Sequence, residues 1–396
     1  MPESTPEILE LWNRIVEDKD HHIIVAEIDG RIVSSCVCVI IPNLTHNQQP
    51  YAFVENVITD EKYRKRGLAT ECLNYAKRIA EKENCYSNFI NKKESDKMRK
   101  ILVTGGTVFV SKFVAEYYVN AGDEVYVLNR NNHSQPEGTI LIEADRNNLE
   151  NVLKQYEFDV VLDVTAYTGA DIINLVKALG NFRDYIFISS SAVYPESLPQ
   201  PFSEEQQVGE NKYWGVYGTN KIDAERELLK RVPDAYILRP PYLYGEMNNV
   251  YREAFVFECA DKDRKFYLPK DGKMRLQFFH VRDLCRCIDS IIEKHPSNHV
   301  FNVGNEESIS VREWVDLCYG ATGNTPEYVE VHKDINQREY FSFYDYEYIL
   351  DVSKQKELIK DTIPMDRGLK EAYIWYSENK NSVNRKGYIE YIDKNL

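Results

Sequence analysis

The chain has 396 residues, 43% of them hydrophobic and 28% charged, and a formal net charge of −14. That length calls for two or three domains, and no apolar run approaches the roughly 20 residues of a membrane helix. The opening "MPESTPEILE" lacks the basic and apolar regions of a signal peptide, and the acidic balance argues against a nucleic-acid binder, which needs a basic face.

Residues 1–97 carry 13 Lys+Arg against 16 Asp+Glu, or −3, which leaves −11 for the remainder. The eight cysteines form no CxxC pair. Cys36/Cys38 and Cys285/Cys287 lie among apolar neighbours, so free buried thiols and a reducing, cytoplasmic setting are expected. His21-His22 has no partner cluster, and no metal is expected.

"HHIIVAEIDGRIVSSCVCVI" is two apolar runs joined by Asp29-Gly30, which predicts a tight β-hairpin. A third strand follows in "YAFVENVITD". From Leu68 the apolar residues fall at Leu68, Cys72, Leu73, Ala76, Ile79 and Ala80, which is helical spacing. Between strand and helix stand Arg64, Gly67 and Ala69 in the pattern R-x-x-G-x-A. Small residues there let N–H groups of a helix N-terminus face a phosphate, and Lys62, Lys65 and Arg66 add positive charge. A solvated basic turn is the plainer alternative.

Residues 8–87 resemble the GNAT N-acetyltransferases, with "VENVIT…YRKRGLA…NCY" similar to glucosamine-phosphate acetyltransferases. The resemblance implies that the turn at Arg64, Arg66, Gly67 and Ala69 grips the pyrophosphate of acetyl-CoA. It also implies that Glu55 lies near a substrate amine, although a strand-edge charge is equally expected. The family's first strand and helix are expected to be absent ahead of Glu7. After Cys85 the polar "SNFINKKESDK" stands where another apolar strand would be. Residues 1–97 therefore read as a truncated segment and linker, able to bind acetyl-CoA but not to use it. So short a segment is expected to pack on the second part or on its own copy, as a homodimer would.

From Met98, which reads like an original start, short apolar runs alternate with amphipathic ones, predicting a parallel sheet flanked by helices over residues 98–396. The strands are "KILVT", "EVYVLN", "TILIEA", "DVVLDV", "YIFISS" and "AYILRP". The turn Thr104-Gly105-Gly106-Thr107-Val108-Phe109 opens the first helix, with Gly105 making the bend, Val108 in the position that usually admits a pyrophosphate, and Ser111 at the helix–strand contact. Gly122 is the expected stop of that helix. The second strand ends at Asn129-Arg130, where an Asp or Glu would bind the ribose of NAD. Asn129 cannot repel a 2′-phosphate and Arg130 could pair with one, so NADP is favoured over NAD. Arg130 in solvent is the alternative.

In "WGVYGTNKIDAERELL" the i, i+4 spacing puts Tyr217 and Lys221 on one helix face. An ammonium beside a phenol is expected to lower its pKa and make it a usable acid/base. Tyr376 and Lys380 repeat the spacing, but only the first pair follows a strand ending in hydroxyls, "YIFISSSAVY". Together with "TGGTVFVS", "EADRNN", "RPPYLYG", "FFHVRDL" and "FNVG", these runs resemble the extended short-chain dehydrogenase/reductases, the NAD-dependent epimerase/dehydratases, over nearly all of 98–396. The "TGGTxF" turn is similar to an atypical branch, some of it RNA-associated, which the acidic balance here opposes.

The resemblance implies a Rossmann-type doubly wound sheet with a smaller substrate part, mainly 242–280 and 300–396. It also implies Ser190, Tyr217 and Lys221 as catalytic residues, with Lys221 touching the nicotinamide ribose and Asp145 approaching the adenine. The expected activity is NAD(P)-dependent oxidation or epimerisation of a sugar or nucleotide-sugar. A 4,6-dehydratase would need an acid beside Ser190, where Ser191 and Ala192 stand. A non-catalytic dinucleotide sensor and a fusion that still acetylates an amino sugar are the alternatives.

Overall fold

The computed structural model describes residues 5–43, 49–63, 66–85, 88–90 and 98–396. The chain divides into two compact units, residues 1–97 and 98–396.

The front unit begins with α1 (Pro6–Glu17), capped by the Thr5 hydroxyl. Three antiparallel strands follow, β1 (His21–Ile28), β2 (Arg31–Ile41) and β3 (Tyr51–Thr59). The β1–β2 turn places Asp29 and Gly30 both at positive φ, as a tight hairpin requires. Helix α2 (Leu68–Lys82) covers the sheet with Cys72, Ala76 and Ala80, which meet Cys36, Cys38 and Val54 in a small core. Helix α1 begins at Pro6, so it leaves untouched the expectation for residues ahead of Glu7. One feature departs from expectation. Past Cys85 the chain does reach a strand, β4 (Asn88–Ile90), which pairs parallel to β3 through three residues. A strand this short carries no periodicity to read.

The second unit holds a seven-stranded parallel sheet. Its chain-order strands are β5 (Lys100–Thr104), β6 (Glu124–Asn129), β7 (Ile140–Glu143), β8 (Phe158–Asp163), β9 (Phe182–Ile188) and β10 (Tyr236–Arg239), with a last strand at Val300–Asn302. Across the sheet they run Val300–Asn302, β10, β9, β8, β5, β6, β7. The direction of winding reverses between β5 and β8, which opens a crevice at their carboxyl ends. The strands are buried on both faces. Ile101, Val103, Val125 and Leu162 face α3 (Phe109–Asn120), while Leu102, Val161 and Phe187 face α4 (Gly169–Ala178) and α5 (Val216–Arg231). Gly122 follows α3 at φ +79°, the left-handed stop that its sequence position implies.

Residues beyond β10 build an aromatic lobe in which Trp314, Phe278, Phe341 and Phe343 pack edge-on or stacked around α6 (Glu253–Asp261). All eight cysteines are free, and seven are buried. Among the described residues no helix is long and apolar enough to cross a membrane.

Candidate active site

The site begins at the end of β5. Thr104, expected at the cofactor, is buried beneath the turn instead. Its hydroxyl donates to Asp163 (2.8 Å) and accepts from the N–H groups of Val164 (2.9 Å) and Thr165 (3.1 Å), which leaves it nothing for a ligand. Asp163 is wholly buried and also accepts from both Nη atoms of Arg146 (2.8 and 2.6 Å) and from Tyr185 (2.7 Å). The Arg146 guanidinium and these hydroxyls hold its carboxyl below the usual range against the opposing effect of burial. This network ties the carboxyl ends of β5 and β8 to the middle of β9 beside the switch point.

Above it, Gly105 (φ +89°) and Gly106 (φ +86°) turn the chain into α3. A Cβ on Gly105 would lie 2.7 Å from Thr165 Cγ2, and one on Gly106 would lie 2.4 Å from Val127 Cγ1. The bend thus depends on two glycines, where the sequence pattern had assigned it to Gly105 alone. Val108 is 42% exposed and supplies no side-chain hydrogen bond as N-cap of α3, so the first-turn N–H groups stay open to an anion. Ser111 is buried and donates to the Val108 carbonyl (2.9 Å).

Asn129 donates its amide to the Gly105 carbonyl (2.7 Å) and to Gln135 (2.9 Å), so it braces the turn rather than facing outward for a ribose. Arg130 is exposed. Asp145 is also exposed and accepts from the Asn147 N–H (2.9 Å), closing its own short turn.

The hydroxyl strand end, α5 and the aromatic lobe enclose a cavity of about 610 Å³. Ser190, Tyr217 and Lys221 all line it, together with Val108 and Phe109, whereas Thr104, Gly105, Gly106, Thr107, Asn129, Arg130 and Asp145 lie outside its lining. Ser190 follows β9 in extended backbone, its Oγ accepting from the Ala192 N–H (3.2 Å). Tyr217 sits one residue into α5 and Lys221 one turn on.

The expected lowering of the tyrosine pKa is not found. Burial pushes the Tyr217 phenol up, opposed by the Ser190 hydroxyl and Arg252, even though the whole residue is 39% exposed. Lys221 does not act on it because its ammonium is bound elsewhere, donating to the carbonyls of Ala166 (2.8 Å) and Ile188 (2.9 Å) over the ring of Phe187.

Burial pulls the Lys221 pKa from 10.5 down to about 8. Activity that needs the ammonium should therefore fall as pH rises through about 8. The unfolded chain keeps that proton to 10.5, so this group's contribution to stability rises across the same window. A pH–rate profile flat from 8 to 10.5 would remove the ammonium from the reaction.

One turn beyond Lys221, Glu225 is buried and accepts from Ser189 (2.5 Å) and from Arg239 Nε (3.0 Å) and Nη2 (2.5 Å). Arg239 continues to Tyr194 (2.8 Å), which donates to Asn302 (2.8 Å). The i, i+4, i+8 line Tyr217–Lys221–Glu225 was legible in the sequence, but its third member carries meaning only once Arg239 is seen opposite. Glu225→Ala leaves a buried guanidinium unpaired and should cost about 3–5 kcal/mol in denaturant titration. A loss below about 1 kcal/mol would contradict the pairing.

His280, wholly buried, caps the helix Val281–Lys294 through Nδ1, and burial drives its pKa down to about 3. In the front unit, Gly67 (φ +77°) precedes α2 with no side-chain cap, Ala69 is half-buried in its first turn, and Arg66 stacks on Tyr63 (5.1 Å). Arg64 lies outside the described residues.

A crevice at the switch point of a parallel sheet, floored by a glycine turn and an uncapped helix, is where dinucleotide-binding folds seat their ligand. The chain belongs to the NAD dependent epimerase/dehydratase family, whose model matches residues 101–304. The model of the Acetyltransferase (GNAT) family matches residues 2–98. Among curated proteins, chloroplast stem-loop binding protein of 41 kDa b from Arabidopsis thaliana is 26% identical over 302 residues, 69% of this chain and 78% of its own. Probable GDP-L-fucose synthase 1 from Oryza sativa subsp. japonica is 24% identical over 54% of this chain and 69% of its own.

Among solved structures, UDP-glucose 4-epimerase from Thermotoga maritima with UDP-glucose superposes with a TM-score of 0.59 at 20% identity, covering 71% of this chain and 99% of that one. dTDP-glucose 4,6-dehydratase from Bacillus anthracis in complex with NAD gives 0.58 at 20%, covering 72% and 98%. These likenesses establish the fold.

Proposed function

We propose that residues 98–396 form an NAD(P)-dependent epimerase or reductase acting on a nucleotide-linked sugar. The observation that carries the substrate class is the charge of the cavity. Lys221, Arg252, Arg338 and Lys386 line it and no Asp or Glu does, in a chain of net charge −14. A concentration of cations against the overall sign selects an anionic ligand. The UDP-glucose and NAD of the superposed structures are ligands of that chemistry.

The residues present fit a dinucleotide. Gly105 and Gly106 hold the left-handed turn into α3, packed where a Cβ would meet Thr165 and Val127, and the open N–H groups of α3 suit its pyrophosphate. The nicotinamide would supply hydride acceptance and donation. Tyr217 holds or takes the proton of a substrate hydroxyl, Ser190 steadies the same oxygen, and Lys221 keeps a positive charge beneath them. The absence of any carboxylate from the lining supports epimerase or reductase chemistry over dehydration, which needs a separate acid.

Incubating the protein with NAD or NADP and UDP-, GDP- and dTDP-sugars, read by nicotinamide absorbance and sugar NMR, tests this reading. Failure of every nucleotide-sugar to bind would overturn the substrate class. Arg130→Ala should weaken NADP more than NAD, and equal loss would remove the 2′-phosphate role. The Arabidopsis relative is named for stem-loop binding, but the charge here supports no such surface, and an RNA hairpin should not be retained on a filter.

The front unit is proposed to lack acetyl transfer. Among the described residues its sheet ends at the three-residue β4, so one wall of an acetyl cleft is minimal. Expressed separately, 98–396 should melt cooperatively and bind cofactor, while 1–97 should neither fold stably nor release thiol from acetyl-CoA. Acetyl transfer by the full chain, lost on Arg64→Ala, would reverse this.

A further inference from the structure

The family model ends at residue 304, yet the cavity is closed in part by residues far beyond it. The segment after residue 382 is fastened to the loop that leads into α6. Asn384 bridges to Val250, and its N–H donates to the Asn249 carbonyl (2.8 Å). Tyr388 stacks on Tyr251 with ring centres 5.7 Å apart and planes at 14°. Arg385 pairs with the buried Glu258 (3.2 Å), and Asp393 in the terminal helix pairs with Arg264.

These ties set the position of Lys386, which is exposed toward solvent yet lines the cavity with Arg252 and Arg338. The two arginines are held from behind. Arg252 donates to the Leu243 carbonyl (3.1 Å), with its buried Nε unpartnered, and Arg338 donates to the Phe341 carbonyl (3.3 Å). The Tyr388 phenol lies against the Arg338 guanidinium, so the fastened segment touches one arginine directly and the loop bearing the other.

We propose that the segment 383–396 is a specificity element of the substrate site. It brings Lys386 as a third cation to Arg252 and Arg338, selecting ligands with two adjacent phosphates over those with one. The inference rests on the reading that the cavity takes an anionic substrate. Two guanidiniums on fixed carbonyls accommodate one phosphate, and a third charge from a different chain segment widens the field to a second.

Calorimetric titration of the full chain with inorganic pyrophosphate, orthophosphate and UDP decides it, using wild type, K386A, K386R and K386E. K386A should weaken pyrophosphate about 5–10-fold and orthophosphate less than about two-fold, with K386E weaker still and K386R close to wild type. NAD affinity should not change in any of them, and K360A, an exposed lysine outside the cavity lining, should match wild type. Pyrophosphate affinities of K386A and K386E within about two-fold of wild type would overturn the proposal. If UDP failed to bind wild type while pyrophosphate kept its dependence on Lys386, the specificity element would stand and the nucleotide-linked substrate would fall. If UDP bound wild type and K386E alike, the reverse would hold.

Discussion

Tyr217→Phe is expected to lower turnover of any accepted nucleotide-sugar about 100-fold or more, with cofactor affinity unchanged. The substitution keeps the ring that packs 6.4 Å from Trp214 and 6.2 Å from Tyr167 and removes only the proton-bearing oxygen. The effect should lie in kcat, because the phenol is needed as the proton moves and contributes little to holding the sugar. Tyr376→Phe is the control. Tyr376 has the same spacing to a lysine but is buried against Phe257 (5.6 Å) in the aromatic lobe and is not among the cavity residues. Its activity should stay within about two-fold. Equal behaviour of the two variants would dissociate Tyr217 from the chemistry.

Gly106→Ala is expected to destabilise the second unit by about 2–5 kcal/mol and to abolish detectable dinucleotide binding. About 1–2 kcal/mol comes from placing an L-residue at left-handed φ, and about 1–3 from forcing its Cβ into Val127. Gly122→Ala separates the two contributions, since Gly122 has a similar φ of +79° and nothing within 4 Å of its added Cβ. It should show the backbone cost alone and leave dinucleotide affinity near wild type. Adding Val127→Ala to Gly106→Ala should recover part of the loss, because the clashing atom is removed. Gly106→Ala melting like Gly122→Ala would show that Val127 yields freely and that the turn is looser than its contacts imply.

The main strands were legible because each is a short apolar run between turn residues, and the hairpin because Asp29-Gly30 permits little else. The strand Val300–Asn302 was not, since three residues show no period and its pairing with β10 is set by partners some sixty positions away. Spacing brought Tyr217 and Lys221 to one helix face, and Ser190 lines the same cavity. Spacing could not say where the ammonium points. Two backbone carbonyls outcompete the phenol for it, one in the loop past β8 and the other at the end of β9. The surroundings of the Thr104 hydroxyl were hidden for a related reason, because its deciding partner, Asp163, lies 59 residues on. The pairs Arg146–Asp163 and Glu225–Arg239 escaped because charged residues are ordinarily solvated, and only the closed sheet shows them buried.

The cavity draws its lining from Val108 through Tyr388, a span of nearly the whole second unit. A ribosome adding about 5–20 residues per second lays down the glycine turn and β9 well before the segment that carries Lys386. Contacts of such long sequence separation also form slowly, because loop closure precedes their reward. During synthesis the nascent chain should thus pass through a stage with a formed dinucleotide crevice and an open substrate end. A cofactor captured at that stage would be retained as the last segment docks. Purified protein would then carry bound nicotinamide without its having been added, and the order of assembly would be recorded in the occupancy of the site.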